Sequence, residues 1–155
     1  MAISVYEQMT SLKARVMKDF EFMSALGLSE QIVQEEDSSA IKKEKFSKQN
    51  ERFTLDAEFS ASAKTYPLMI TLNSVAPLAT ASTDFGMPQY EFTIIYQKGN
   101  SANAMKLADI IKRLIHRRTI DGYDYECQGT SPQTAIKNNQ EKISIRFSTE
   151  GDEIY

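Results

Sequence analysis

The segment from Tyr90 to Gln97, YEFTIIYQ, constrains this chain most, because Tyr90, Phe92, Ile94 and Tyr96 fall on one side of an extended backbone and Ile95 on the other. A period of two marks a strand with one face in a core. Gly99 and Asn100 break it at once, and Asn100 or Ser101 can cap a helix that reaches about Arg118. Ala104, Leu107, Ala108, Ile111, Leu114 and Ile115 give that helix one buried face. A strand that feeds directly into an amphipathic helix calls for a sheet with helices laid against it, and the rest of the chain has to fit that arrangement.

Upstream, Val5, Met9, Leu12, Val16, Phe20, Met23 and Leu26 recur every three or four residues, so a first helix is expected from about Val5 to Leu26. Ser4 and Glu7 match a capping box, and Gly27 suits a left-handed end. Met9 and Met23 lie on the stripe and read as core. Gln31 to Glu36 is expected as a short strand. Asp37 to Asn50 is dense in Lys, Glu and Ser, and with little to bury it is expected as a mobile loop or hairpin tip.

Phe53, Leu55, Ala57 and Phe59 alternate, predicting a strand over Arg52 to Phe59 that forms a hairpin with a second strand over Tyr66 to Leu72, entered at Pro67. Asn73 to Pro88 is a long loop of small residues with Pro77, Gly86 and Pro88. Tyr123, Tyr125 and Cys127 predict another strand, Gln128 to Gln140 a polar loop, and Ile143, Ile145 and Phe147 a last strand. The expected fold is α+β in a single domain over residues 1–155, one mostly antiparallel β-sheet with two main α-helices packed against it.

Chemistry is scarce in this pattern. Glycines occur singly, so no phosphate-binding loop or dinucleotide fingerprint assembles. The one histidine, His116, stands among arginines with no Ser or Cys beside it in sequence. Asp121, Asp124 and Glu126 lack the spacing of a calcium loop, and the lone Cys127 makes neither a disulfide nor a metal cluster, so it reads as a small strand residue. No catalytic residue, metal or cofactor is expected. No segment approaches the roughly 20 apolar residues of a spanning helix, and the N-terminus has the spacing of a helix face rather than of a signal peptide. Folding in a cytoplasm, away from membranes, is the expectation.

Charge is unevenly placed. Lys106, Lys112, Arg113, Arg117 and Arg118 cluster against Asp109 alone, whereas Asp121, Asp124, Glu126, Glu141, Glu150, Asp152 and Glu153 outweigh Lys137, Lys142 and Arg146 after Thr119. The basic cluster suits the negative end of a helix dipole. It also admits a nucleic-acid-binding α+β module, with Arg113, Arg117 and Arg118 along one side of a helix, although the sequence pI of about 5.3 opposes it.

The N-terminal helix, TYPLMITL followed by a long loop, QYEFTIIYQ leading through KGNSANA into MKLADIIKRLI, and the final EKISIRFSTE together resemble the tail terminator, or tail-to-head joining, proteins of long-tailed bacteriophages. The resemblance is one of element order and spans Val5 to Glu150. The charged stretch before Arg52 departs from it and leaves another neck or connector ring component as an alternative. The resemblance implies a structural virion protein at the tail-neck junction, assembled in the host cytoplasm. It implies a homohexameric ring on the tail tube protein, a surface for the head connector or neck protein, and genomic DNA passing through the lumen unbound. Within such a ring, the charge asymmetry alone suggests that Arg113, Arg117 and Arg118 of one subunit meet Glu150, Asp152 and Glu153 of the next. Lys42, Lys43 and Lys45, and Asp84, Phe85 and Met87, are expected on partner-docking loops, and acidic residues after Thr119 would repel DNA in the lumen.

Overall fold

The computed structural model describes residues 4–55, 66–75, 89–136 and 139–151. Helix α1 covers Val5–Met17 and starts at the expected capping box, in which the Ser4 hydroxyl accepts from the Glu7 amide and the Glu7 carboxylate accepts from the Ser4 amide. The expected single helix to Leu26 is broken. Asp19 adopts extended backbone and its carboxylate accepts the Phe22 amide, starting a second helix, α2, over Phe20–Leu26. An aspartate able to cap offers the backbone a partner that competes with helix continuation. Gly27 ends α2 in the left-handed conformation, φ 88°.

Two further expectations fail next. Gln31 to Glu36 is no strand: a 3₁₀ turn over Ser29–Gln31 leads into irregular chain, which is held where the Asp37 carboxylate accepts the Gln34 amide at 2.8 Å. Asp37 to Asn50 is no loop: α3 covers Ser39–Arg52, capped where the Ser38 hydroxyl accepts from the Ile41 amide. Its Ala, Lys, Glu, Gln and Arg residues are strong helix formers, and propensity outweighed the shortage of apolar residues.

Strand β1, Phe53–Leu55, follows α3 directly and pairs with β2, Leu68–Val75, in parallel. The expected hairpin is therefore absent. The rest of the strand predicted to Phe59, Ala57 included, lies outside the described residues, as does most of the loop expected from Asn73 to Pro88. Its first three residues, Asn73, Ser74 and Val75, belong to β2. Strand β3 is Gln89–Gln97 and α4 is Ser101–Ile115, with Asn100 at its cap position. The helix stops three residues earlier than expected, because Arg117 is left-handed at φ 57° and Arg118–Ile120 form β4.

β4 joins β5, Tyr123–Thr130, through Asp121 and Gly122, both at positive φ, the geometry of a two-residue hairpin turn. A short β6, Thr134–Ala135, lies inside the expected polar loop, and β7 spans Gln140–Gly151.

The sheet runs β1-β2-β3-β7-β5-β4, with β6 also on β7, and every pairing except β1 with β2 is antiparallel. The fold is α+β as expected, with α1 and α2 together standing for the first main helix and α4 for the second. Tyr90, Phe92, Ile94 and Tyr96 face a core that also holds Leu12, Val16, Met23, Leu107, Ile111, Ile145 and Phe147. Ile95 sits with Met69 and Ile136 on the other side of the sheet. Edge-on and tilted contacts link Phe22, Phe53, Phe92 and Phe147 across the core. The buried Tyr90 hydroxyl donates to the Gln8 side chain. Burial pushes the Tyr90 and Tyr125 phenols well up, so both remain hydroxyl donors.

Candidate functional site

The break at Asp19 leaves Phe20 outside the core, 66 % exposed, although it was expected on the buried stripe. Phe20 stands at the rim of a groove of about 1130 Å³ between α1 and α3. Tyr6, Thr10, Lys13 and Met17 of α1 form one wall, and Phe46, Gln49 and Asn50 of α3 face them across Ile32 and Val33. Met23, Phe53 and Leu55 lie along the bottom. Tyr6 is 69 % exposed and Phe46 52 %, so three aromatic side chains stand in solvent around one concavity. Isolated surface apolar residues are ordinary, but a grouped set beside a pocket marks a contact surface.

The groove is also cationic. Among the described residues no Asp or Glu lines it, whereas Lys13 and Lys18 do. The Lys13 ammonium lies 5.3 Å from the centre of the Phe53 ring and donates to Asn50 Oδ1 at 2.8 Å. Partial burial lowers its pKa from the ordinary lysine value. Beyond Phe46, Asn50 and Thr54 the groove opens onto a second recess lined by Lys42, Lys43 and Glu51. The Glu51 carboxylate accepts from the Tyr66 hydroxyl. Lys42 and Lys43 therefore add charge to the same trough.

This surface stands because α3 is tethered by its polar residues. Lys45 donates to the Asp37 carboxylate at 2.7 Å and to the Ile32 carbonyl at 3.0 Å. The Lys45 ammonium, and then the Gln34 amide, hold the Asp37 carboxyl below its usual range. The Gln49 amide donates to the Gln31 carbonyl. The Arg52 guanidinium donates to the carbonyls of Leu68 and Leu26 and stacks 4.7 Å from the Tyr66 ring centre. A Cβ at Gly27 would lie 3.3 Å from that guanidinium, so the glycine serves both the turn and the tether.

The residues singled out from the sequence fall in several places. Lys42, Lys43 and Lys45 are on a helix rather than a loop, and Lys45 is occupied within the chain. Asp84, Phe85 and Met87 lie outside the described residues, as do Asp152 and Glu153. The Glu150 backbone pairs with Asp124 on β5. Arg113 is on α4, where its guanidinium reaches Asp19 at 3.4 Å and Glu21 at 3.2 Å. Arg117 and Arg118 follow the end of α4, so the expected row of three arginines along one helix does not form. Of the basic residues, only Lys112 and Arg113 lie in the last turn of α4. Cys127 is partly buried on β5, and its backbone amide donates to Nδ1 of His116 at 2.9 Å.

Asp121 accepts from the Ser11 hydroxyl and Asp124 from the Thr119 hydroxyl. Among the described residues no group of three or more His, Cys, Asp or Glu is placed to hold a metal. None of the helices among them is long and apolar enough to cross a membrane. No protein-family model matches the chain, and no curated protein matches it.

Tyr6, Phe46, Lys13 and Lys18 carry no role in the sequence pattern, and Phe20 is expected there on the buried stripe rather than at a groove rim. Phe46 carries a usable signal, because it is the one aromatic residue in the stretch from Asp37 to Asn50, where only Ala40 and Ile41 are otherwise apolar.

Proposed function

We propose that this chain is a structural ring subunit of the tail terminator type, which caps the tail tube of a long-tailed bacteriophage at the neck and presents a second surface to the head connector. The observation that carries the proposal is the groove between α1 and α3: a large, aromatic, lysine-rimmed concavity on a domain whose core is filled. Such a surface is what heterologous, head-to-tail assembly requires, because each subunit must offer two unlike patches. The element order that resembles tail terminators supports the same reading. So does the exposed pair Asp124 and Glu126, on the side of β5 opposite Tyr123 and Tyr125, which in a ring lumen would repel passing DNA. Assembly would take place in the host cytoplasm, with the virion as destination.

Cryo-electron microscopy of the purified chain mixed with its co-encoded tail tube protein tests the proposal. A six-fold ring seated on one end of the tube is the expected result. Bare tubes with the chain in a discrete ring of its own would move the assignment to another neck component. Bare tubes with a salt-sensitive shift on DNA would replace it with the nucleic-acid module.

A further inference from the structure

Beyond a ring in general, the two walls of the groove share a geometry that selects one kind of ligand. Tyr6, Thr10, Lys13 and Met17 follow one another at steps of three and four along α1 and line one wall. Ser39, Lys42, Phe46 and Asn50 do the same along α3, from the adjoining recess into the groove. Each row covers eleven residue steps, from 6 to 17 and from 39 to 50, or roughly 16 Å at the helical rise, three turns of helix. The Lys13 ammonium reaches across to Asn50, so the rows are neighbours. On α1 this row is separate from the core stripe of Met9, Leu12 and Val16, and it leaves Tyr6 in solvent.

A trough between two helix faces of equal length fits a third helix of that length. The apolar bottom, with Phe20 at the rim and Phe46 in the wall, calls for an apolar stripe on the incoming helix. Charge sets its flanks. Among the described lining residues Lys13, Lys18, Lys42 and Lys43 stand against one carboxylate, Glu51, which already accepts from the Tyr66 hydroxyl. Asp or Glu beside the stripe complements them. A nucleic acid would meet the lysines as well, but Met17, Met23, Ile32 and Leu55 favour burial of aliphatic side chains, whereas bases need flat rings to stack on. A second copy does not supply the helix from its described residues: the apolar stripes of α1, α2 and α4 are in the core, and α3 is itself rich in lysine.

We infer that the groove between α1 and α3 receives an amphipathic α-helix of about three turns from a different protein, its apolar stripe against Phe20, Phe46 and Leu55 and its acidic flanks against the lysines. This deepens the ring reading and rests on it for the presence of a partner at the tube or the connector.

Titration of the full chain against a fluorescein-labelled peptide of roughly 14 residues, with Leu at helical spacing on one face and Glu on both flanks, tests it by anisotropy. The expected result is saturable micromolar binding, about tenfold weaker with Phe20→Ser and Phe46→Ser combined, and weakened similarly by Lys42→Glu with Lys43→Glu or by Lys in place of Glu in the peptide. No binding, or equal binding of the acidic and basic peptides, would overturn the inference. Tighter binding of a labelled oligothymidylate would replace the helix with single-stranded nucleic acid. Maleimide labelling of Phe46→Cys in a Cys127→Ser background reads the groove itself. Fast labelling of the chain alone, slowed several-fold by the acidic peptide, is the expected pattern; slow labelling of the chain alone would show the groove already filled and overturn the inference. The same label applied to neck complexes assembled with the co-encoded tube and connector proteins separates the two readings. Rings in which Phe46→Cys labels as fast as in the free chain sink the docking inference alone, and peptide binding without rings sinks the terminator assignment alone.

Discussion

Helices α3 and α4 are nearly the same length, 14 and 15 residues, yet they are held in opposite ways. α4 buries Ala104, Leu107, Ala108, Ile110, Ile111 and Ile115, and burial of that stripe fixes it on the sheet. α3 buries none of its residues and is fixed by directional hydrogen bonds from Lys45, Gln49 and Arg52 to backbone carbonyls, with one ion pair along its surface between Lys48 and Glu44. Burial is non-directional and tolerates repacking, whereas a tether fails when its donor is lost. The helix that carries the core commits its apolar stripe to the sheet, and the tethered helix keeps its apolar side chains, Ile41 and Phe46, in solvent.

The contrast can be broken most forcefully in α4. Ile111→Ala, at a fully buried position, should cost about 2–5 kcal/mol, read from urea midpoints at unchanged slope. Loss within experimental error of an exposed site would show that α4 is not the anchor. A smaller effect is expected from Arg52→Ala, about 1.5–3 kcal/mol, since two carbonyls lose a charged donor. Hydrogen exchange should then quicken across α3 and the turn at Ser29–Gln31 while α4 keeps its protection.

The Asp37–Lys45 tether sharpens the comparison through pH. The folded Asp37 carboxyl has a lowered pKa, so its contribution is complete above the ordinary carboxylate range and is lost as pH falls through that range toward the folded value. Asp37→Asn should flatten the acid limb of the stability profile and leave its alkaline side unchanged. An unaltered acid limb would remove Asp37 from the account. Smallest of all, Phe46→Ser should stay within about 0.5 kcal/mol of the parent, because an exposed side chain on a tethered helix holds no core. A larger loss in a thermal melt would recast the groove as part of the fold.

That division also explains what could be read in advance. The faces of β3, β5 and β7, the buried side of α4, the capping box and Gly27 were all open to inspection, because each depends on local period or local conformation. Failures came where a single polar residue redirected the chain. Asp19 divided the first helix and turned Phe20 outward, and Ser38 with its run of good helix formers made α3 from what looked like a loop. The Asp121–Gly122 pair is a recognisable hairpin-turn signal, and it marks both β4 and the early end of α4. Parallel pairing of β1 with β2 follows from the route of the chain and carries no local mark. The groove was invisible for a related reason: it lies between elements whose boundaries had to be known first.

The hydrogen bond from the Cys127 amide to His116 bears on how copies of this chain can add to one another. Cys127 lies on β5 just past the three residues that β4 covers, so its outward donor would be open to any extended peptide arriving from solvent. A side-chain nitrogen already accepts that donor, and strand-by-strand growth meets a blocked position at that border. His116→Ala would unblock it, and the variant should turn towards fibrous precipitation on prolonged incubation under conditions in which the parent stays clear.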